Sequence, residues 1–131
     1  MNLEPMNRPS CSSPIAFFVP SLQGGGAERV IMLLANHLNR RGLQVDLVLA
    51  QATGALLNQV ADDVNVLDLG ASRTLFALPG LIGYLRRKRP ASVLSTLAHA
   101  NVVSGLAVAM SGIRTRHVIR EANFFSEQKN R

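Results

Sequence analysis

The sequence predicts an α/β domain whose mostly parallel sheet is doubly wound. Apolar runs such as residues 15–19 and 43–50 are hydrophobic on both faces, which is typical of strands in a parallel sheet covered on both sides. Segments with helical periodicity alternate with these strands along the chain. Because crossovers between parallel strands are right-handed, the most economical strand order is 3-2-1-4-5.

The first part of the chain supplies two strands and one long helix. IAFFV at residues 15–19 is the first strand, and the second runs over residues 43–50. Between them we expect a helix over residues 27–41, followed by Gly42, a usual stop signal. The apolar side chains that recur at helical spacing in this helix are Val30, Ile31, Leu33, Leu34 and Leu38.

The rest of the chain continues the alternation. Pro79 suits the first turn of a helix, where a missing N–H does little harm, and Pro90 ends that helix. Gly112 ends the following helix, whose residues are mostly small. The predicted elements are a third strand at 64–69 near an edge, a helix at 79–88, a fourth strand at 92–96, a helix at 101–111 and a fifth strand at 116–120.

Length and composition indicate a globular domain. The 131 residues, 47% of them hydrophobic, suffice for one domain with a real core, and we expect residues 1–14 to be a disordered tail. The single cysteine, Cys11, indicates a reducing cytoplasm. The tail lacks the apolar core of a signal peptide, and no apolar run approaches the roughly 18 to 20 residues of a membrane-spanning helix.

Four consecutive cations, Arg86, Arg87, Lys88 and Arg89, carry much of the net charge of +6. Such a run is most often a solvated helix end, where cations also suit the helix dipole. The more specific interpretation is that these cations contact anionic lipid, with the protein bound peripherally to the inner face of the cytoplasmic membrane. Nucleic acid is not expected as a partner, because no nucleic-acid motif is present and aromatic residues do not interleave with the cations.

Gly24, Gly25 and Gly26 stand where the first helix must begin. They could simply make a tight turn, because glycine adopts positive φ without strain. They could also let an anion such as phosphate approach bare backbone at a helix N-terminus, where N–H groups lack partners. Three glycines exceed what a turn requires, which favours the ligand. Arg29 could reach the same phosphate, while Glu28 fits the helix dipole as a simple stabiliser.

The predicted strand order also brings separate polar segments to one crevice. Strands one and four become neighbours where the topology reverses, and ligands of open α/β sheets bind at that point. The loop LAHAN after the fourth strand carries His99 and Asn101, and the end of the fifth presents Arg120, Glu121 and Asn123. We expect a site here, although a ligand contact and mere capping of the next helix both stay open for the histidine.

Several other kinds of site are not predicted. The loop reads G-x-G-x-x-R, so Arg29 replaces the third glycine of the dinucleotide fingerprint, and Asp46 lies too early in its strand. No G-K-[ST] phosphate motif follows the glycines. His37 and His117 are attributed to packing, and without a Cys/His cluster we expect no bound metal and no cofactor.

The stretch PSLQGGGAERV, followed by LANHLNRRGLQVDLVL, resembles the opening of glycosyltransferases of the GT-B fold in the retaining family 4. RPASVLSTLAHAN is similar to that family's fourth strand and following loop, and RHVIREANFFS is similar to its fifth strand. Leu43 and Gln44 stand where many members have His-Glu. The resemblance covers about residues 15 to 126 and implies a Rossmann-like N-terminal half that mainly binds acceptor.

The resemblance implies transfer of a hexose from a nucleotide sugar to a hydroxyl of a glycan or lipid-linked acceptor of the cell envelope. The triple glycine would approach the donor diphosphate, and His99, the catalytic candidate, would hydrogen-bond the transferred sugar or the acceptor hydroxyl. The candidate substrate-binding residues are Gly24, Gly25, Gly26, Arg29, Asn101, Arg120, Glu121 and Asn123.

The family's second domain, which binds the donor through paired glutamates, has no counterpart in this sequence. We therefore expect residues 15–131 to form a domain that is incomplete at its C-terminal end and inactive without the missing C-terminal donor domain. The alternative is a stand-alone nucleotide- or phosphate-binding module without a transferase role. A receiver-like regulatory domain is disfavoured, because Pro20, Ser21 and Leu22 follow the first strand where acidic residues would be needed.

Overall fold

Strands form where the sequence is continuously apolar, and helices form where it is amphipathic. The computed structural model describes residues 13–120. Its strands are β1 (Ile15–Val19), β2 (Val45–Leu49), β3 (Asn65–Asp68), β4 (Ser92–Thr96) and β5 (Arg116–Arg120). Its α-helices are α1 (Gly26–Arg40), α2 (Leu78–Lys88) and α3 (Ala98–Ser111), and two short 3-10 segments span Ala55–Gln59 and Thr74–Ala77.

The five strands form one parallel sheet in the order β3-β2-β1-β4-β5, which confirms the predicted doubly wound topology. β1 lies between β2 and β4, with Val19 opposite Leu49 and Phe18 opposite Ser95. β3 is an edge strand, as expected from its mixed sequence. All carboxyl ends of the strands therefore lie at one edge of the sheet.

Each face of the sheet packs against its own helices. Phe17 and Val19 of β1 belong to the core under α1, while Phe18 belongs to the core under α2 and α3. This alternation along one buried strand follows from the two-residue period of side chains in a β-strand. Both sides of β1 and β2 are thus removed from water, which explains why these strands are apolar at nearly every position.

The predicted buried stripe of α1 is partly wrong. The helix buries Ile31, Met32 and Ala35, whereas Val30 and Leu33 are 40% and 55% exposed. Two apolar stripes at helical spacing coexist in this segment, and the sheet selects the one in which the small Ala35 lets the helix approach closely. His37 is also exposed, so packing does not account for it.

The helix α3 begins three residues earlier than predicted, at Ala98 rather than Asn101. The chain reverses within a single residue, because Leu97 adopts φ 82° directly after β4. A leucine at positive φ is strained, and such residues persist only where the surrounding structure fixes them. His99 therefore lies in the first turn of a helix and not in a loop.

A buried polar cluster crosses the core under α2. Asp46 of β2 is fully buried; it accepts a 2.6 Å hydrogen bond from the Tyr84 hydroxyl and a 3.1 Å bond from Asn65 Nδ2. A buried carboxylate needs such donors to offset its lost hydration. Asp46 thus has a structural role, because it joins β2 to Tyr84 and Asn65.

Some predictions lie outside the described residues: the disordered tail over most of its length, Cys11, and the site residues Glu121 and Asn123. Between residues 13 and 120, no helix is long and apolar enough to cross a lipid bilayer.

Candidate functional site

The candidate site is the edge of the sheet at which β1 and β4 end side by side. These strands are parallel neighbours, so the loop after β1 and the turn after β4 leave the sheet from adjacent positions. α1 and α3 begin directly after these connections, and both helices therefore present their N-terminal ends at this edge. The predicted reversal of topology between strands one and four is confirmed.

The three glycines differ in what the fold requires of them. Gly24 has φ 115°, a conformation that other residues rarely adopt. Gly25 donates a 2.8 Å hydrogen bond from its N–H to Glu28 Oε1, and a Cβ on Gly25 would lie 2.5 Å from that oxygen. A Cβ on Gly26 would meet open space, and its φ imposes no need for glycine. The backbone requires glycine only at position 24, since the Cβ of another residue at 25 would meet just the flexible end of the Glu28 side chain. Gly26 leaves the helix N-terminus bare without a packing reason.

Hydrogen bonds to the loop after β2 hold the glycine bend in place. Leu22 donates its N–H to the Thr53 carbonyl at 2.9 Å and accepts from the Leu56 N–H at 3.0 Å. Gly54 has φ 121°, and a Cβ there would collide with the Leu22 carbonyl. Sequence reasoning missed Gly54, whose only signal was a glycine in a segment without clear periodicity.

His99 is exposed in the first turn of α3, beside an apolar hollow of about 260 Å³. Leu75, Ala98, Val102 and Val103 complete the lining of that hollow. The N-cap position of α3 is Leu97, and no side chain caps the helix. Capping of the helix, the alternative role considered for this histidine, is therefore not observed, and the ligand contact stays a prediction.

Asn101 is turned toward β4, because its Oδ1 accepts a 2.8 Å hydrogen bond from the buried Ser95 hydroxyl. The Ser95 oxygen is also 3.4 Å from His117 Nε2, and that nitrogen lies 2.9 Å from the buried Ser104 hydroxyl. Burial lowers the pKa of His117 and favours its neutral form. The cluster fixes the first turns of α3 against β4 and β5, which confirms a structural role for His117.

The other predicted site residues are placed as follows. Arg29 is exposed in the first turn of α1, and Glu28 stabilises that turn through its bond to Gly25. Arg120 ends β5 opposite Thr96, so its backbone lies at the same edge of the sheet. In the stretch 13–120, no group of three or more His, Cys, Asp and Glu residues is arranged to hold a metal ion.

A family model described as Glycosyltransferase Family 4 matches residues 24–121. The chain belongs to glycosyltransferase family 4. The match begins at Gly24, within the connection from β1 to α1, and ends just after β5, so it includes the whole of α1 and the turn after β4.

The crystal structure of MurG from Acinetobacter baumannii has the same fold, with a TM-score of 0.57 and 21% sequence identity. The alignment covers 82% of this family 4 chain and 34% of the MurG chain, so this chain spans about a third of that protein. At this identity the likeness concerns the fold alone. No significant match was found among curated proteins.

Two polar residues of this family 4 domain were not identified from the sequence, although they fix the site's geometry. Ser95 and Ser104 are fully buried and bind Asn101 and His117. Serine in a strand or among small helical residues carries no distinctive pattern, so only the packing of α3 against β4 and β5 reveals their roles.

Proposed function

We propose that this chain is the acceptor-binding domain of an enzyme that transfers a hexose from a nucleotide sugar to a hydroxyl acceptor, such as a lipid-linked or cell-envelope glycan. Membership of glycosyltransferase family 4 supports the class of reaction. The observation that carries the proposal is the bare N-terminus of α1 at Gly26, at the edge where β1 and β4 are neighbours.

The donor diphosphate would bind in front of α1. The first N–H groups of a helix have no intrahelical partners, and the aligned peptide dipoles attract negative charge. Glu28 already occupies the Gly25 N–H, so the diphosphate would use the N–H groups that follow, where Gly26 presents no side chain. The exposed Arg29 adds a positive charge to the same turn.

His99 would contact the transferred sugar or the acceptor hydroxyl from the neighbouring strand end. Its place in the first turn of α3, outside the hydrogen-bonded Ser95–Asn101–His117 cluster, leaves its ring exposed while that cluster fixes its backbone. Catalysis would then depend on positioning the two substrates and on stabilising the leaving diphosphate.

An NMR titration of the chain with uridine diphosphate and with inorganic pyrophosphate tests whether the glycine bend binds a diphosphate. Gly26→Ala adds a methyl group in open space, so folding should persist while the anion is held away. We expect affinity to fall by about fivefold or more, the equivalent of roughly one good hydrogen bond.

The matched control is Gly83→Ala, because Gly83 in α2 is also exposed and its Cβ would also meet open space. Equal affinities of the Gly26→Ala, Gly83→Ala and unaltered chains would remove the proposed role of the bend. Thermal unfolding of both variants shows that the comparison concerns binding and not stability.

We also infer a peripheral contact with anionic membrane through Arg86, Arg87, Lys88 and Arg89. Arg86 donates to the carbonyls of Met110 and Ser111, at 3.3 and 3.4 Å, and so joins the end of α2 to the end of α3.

The outer face of α3 carries a row of exposed apolar side chains that ends at Met110, whose carbonyl accepts from Arg86. Val102, Leu106 and Met110 are 60%, 44% and 55% exposed at successive four-residue steps. They do not face β5, since Ser104 and Gly105 face His117 instead. An apolar stripe flanked by cations is the surface that an interfacial helix offers to acidic lipid.

Sedimentation with liposomes tests this contact. We expect binding to acidic vesicles only, and a loss of about tenfold for Arg87→Glu, because each cation near such a surface contributes on the order of 1 kcal/mol. Arg73→Glu makes the same charge change at an exposed arginine before the 3-10 segment Thr74–Ala77, and it should bind as the unaltered chain does. Equal binding to neutral and acidic vesicles would rule out the contact.

A further inference from the structure

A second hollow, of about 160 Å³, opens at the carboxyl edge of the sheet on the other side of β1 from His99. The loops that follow β1, β2 and β3 form its walls. Its polar lining consists of Ser21, Gln23, Gln51, Thr53, Ser72 and Thr74. Gln23 directly precedes the glycine bend, so the hollow adjoins the place proposed for the donor diphosphate.

Every polar side chain in this lining is neutral. Each hydroxyl and carboxamide can both donate and accept hydrogen bonds, as the hydroxyl groups of a sugar require. None of the described residues lining the hollow is charged, so a phosphate or carboxylate would lose hydration without gaining a countercharge. This chemistry differs from that of the bend itself, where the helix dipole and Arg29 favour an anion.

Part of the lining of the hollow is apolar. Ala50 and Ala71 are 2% and 7% exposed and line it together with Pro20. A sugar ring has C–H groups on its faces and hydroxyls around its rim. A lining that combines small apolar residues with hydroxyls and carboxamides can contact both kinds of group.

The walls are fixed by hydrogen bonds that do not use the lining side chains. Asp68 Oδ1 accepts from the N–H groups of Ala52 and Gly70, at 3.1 and 2.8 Å, and so ties the loop after β2 to the loop after β3. Gln51 N–H donates to the Pro20 carbonyl at 3.0 Å, which ties the first two loops together. A ligand would therefore order little of the backbone on binding. Such ordering is one of the main entropic costs of recognition.

The volume limits the ligand to a small one. Pockets for drug-sized ligands measure roughly 300 to 1,000 Å³, well above this hollow. One monosaccharide ring is small enough to fill the hollow.

We propose that this hollow binds a neutral, pyranose-sized sugar ring, the terminal ring of the acceptor. The assignment to the acceptor rests on the proposed function, whereas the binding of a neutral ring rests only on the hollow. A contact between two lining side chains, from Gln23 Nε2 to Thr53 Oγ1 at 3.3 Å, lies on the surface and can exchange for bonds to sugar hydroxyls.

NMR titration of the ¹⁵N-labelled chain tests this site directly and needs no transfer reaction. The probes are glucose, galactose, mannose and N-acetylglucosamine, with glucuronate as an anionic and cyclohexanol as an apolar comparison. We expect saturable shifts in residues 20–23, 50–53 and 71–74 with at least one neutral sugar, and weaker binding of glucuronate and cyclohexanol.

Gln51→Ala removes a carboxamide of the hollow, and we expect it to weaken sugar binding roughly three- to tenfold, as expected for one net hydrogen bond. The matched control is Gln59→Ala, at an exposed glutamine of the 3-10 segment Ala55–Gln59, which should bind as the unaltered chain does. The proposal is overturned if no neutral sugar binds, if glucuronate binds more tightly, or if the two variants behave alike. Such a result would leave the diphosphate test at Gly26 unaffected, so failure here is distinguishable from failure of the proposed function.

Discussion

Tyr84 is the single tyrosine of the chain, and its hydroxyl lies 2.6 Å from a buried carboxylate oxygen of Asp46. Burial raises the pKa of Tyr84 above its ordinary value, and the hydrogen bond to Asp46 and the charge of that residue raise it further. An ionised phenol beside this carboxylate would be a second negative charge in a buried place, and the charge of Arg87 offsets it only in part.

We therefore expect Tyr84 to stay protonated while the chain is folded. Its folded pKa lies above the unfolded value of about 10, so its contribution to the free energy of unfolding is complete below pH 10 and is lost as the pH rises beyond it. Absorbance at 295 nm should rise only together with loss of far-ultraviolet circular dichroism. A phenolate signal near pH 10 from a chain with native dichroism would contradict this.

The three glycines show how far single residues could be assigned from sequence. Their place at the start of α1 was predictable, but the separate reasons for them were not. Gly24 is required by its φ of 115°, Gly25 is crowded only by the flexible Glu28 carboxylate that its N–H binds, and Gly26 has neither constraint. These are differences in backbone angle and local contact, which the letters GGG do not encode. The sequence thus locates the bend, and only the structure singles out Gly26 as the position to test.

At the scale of elements, the junction of α3 with β4 and β5 depends on a neutral histidine. His117 Nε2 lies 2.9 Å from the Ser104 hydroxyl, and burial lowers the pKa of the ring. Its folded pKa is below the unfolded value of about 6.5, so its contribution to stability is present above that pH and is lost as the pH falls.

We expect the free energy of unfolding to fall between pH 7.5 and 5, with a slope from this one proton of no more than about 1.4 kcal/mol per pH unit. His117→Gln should reduce the slope, whereas His37→Gln, at an exposed position of α1, should leave it unchanged. Urea unfolding at several pH values measures this. Equal slopes for the two variants would show that the His117 ring does not control the pH dependence.

Element types could be predicted, but some boundaries and faces could not. β1 and β2 are apolar on both faces, whereas a half-exposed strand alternates apolar and polar residues. Their burial could therefore be predicted from sequence. The start of α3 did not, because it depends on Leu97 adopting φ 82°, a conformation that leucine seldom takes. The face of α1 was also ambiguous, since Val30 and Leu33 compete with Ile31 and Ala35 at similar spacing.

At the scale of the whole molecule, strand order was predictable because few topologies satisfy right-handed crossovers and buried central strands. That order makes β1 and β4 neighbours, and it places the ends of β1, β2 and β3 around the second hollow. The hollow itself was not predictable. It arises from hydrogen bonds between loops, such as those of Asp68 to Ala52 and Gly70, and these have no sequence periodicity.

The expected activity of the chain also depends on how much of an enzyme it represents. The chain spans 34% of the MurG chain, a protein of the same fold. Transfer requires the sugar, both phosphates and the acceptor to be held together, because effective positioning supplies much of the lowered barrier. The bend at Gly26 touches only one part of that assembly.

We therefore expect the 131-residue chain to release no nucleotide from sugar nucleotides above the rate in buffer, in a coupled assay with neutral and lipid-linked sugars as acceptors. Turnover that His99→Ala abolishes would contradict this and would make the chain a complete catalyst. If no turnover is seen, the affinity for a free nucleotide distinguishes an acceptor-binding domain from a stand-alone module. Micromolar affinity for a free nucleotide would favour a stand-alone nucleotide-binding module, since one bare helix N-terminus and one exposed arginine should by themselves hold a diphosphate only weakly.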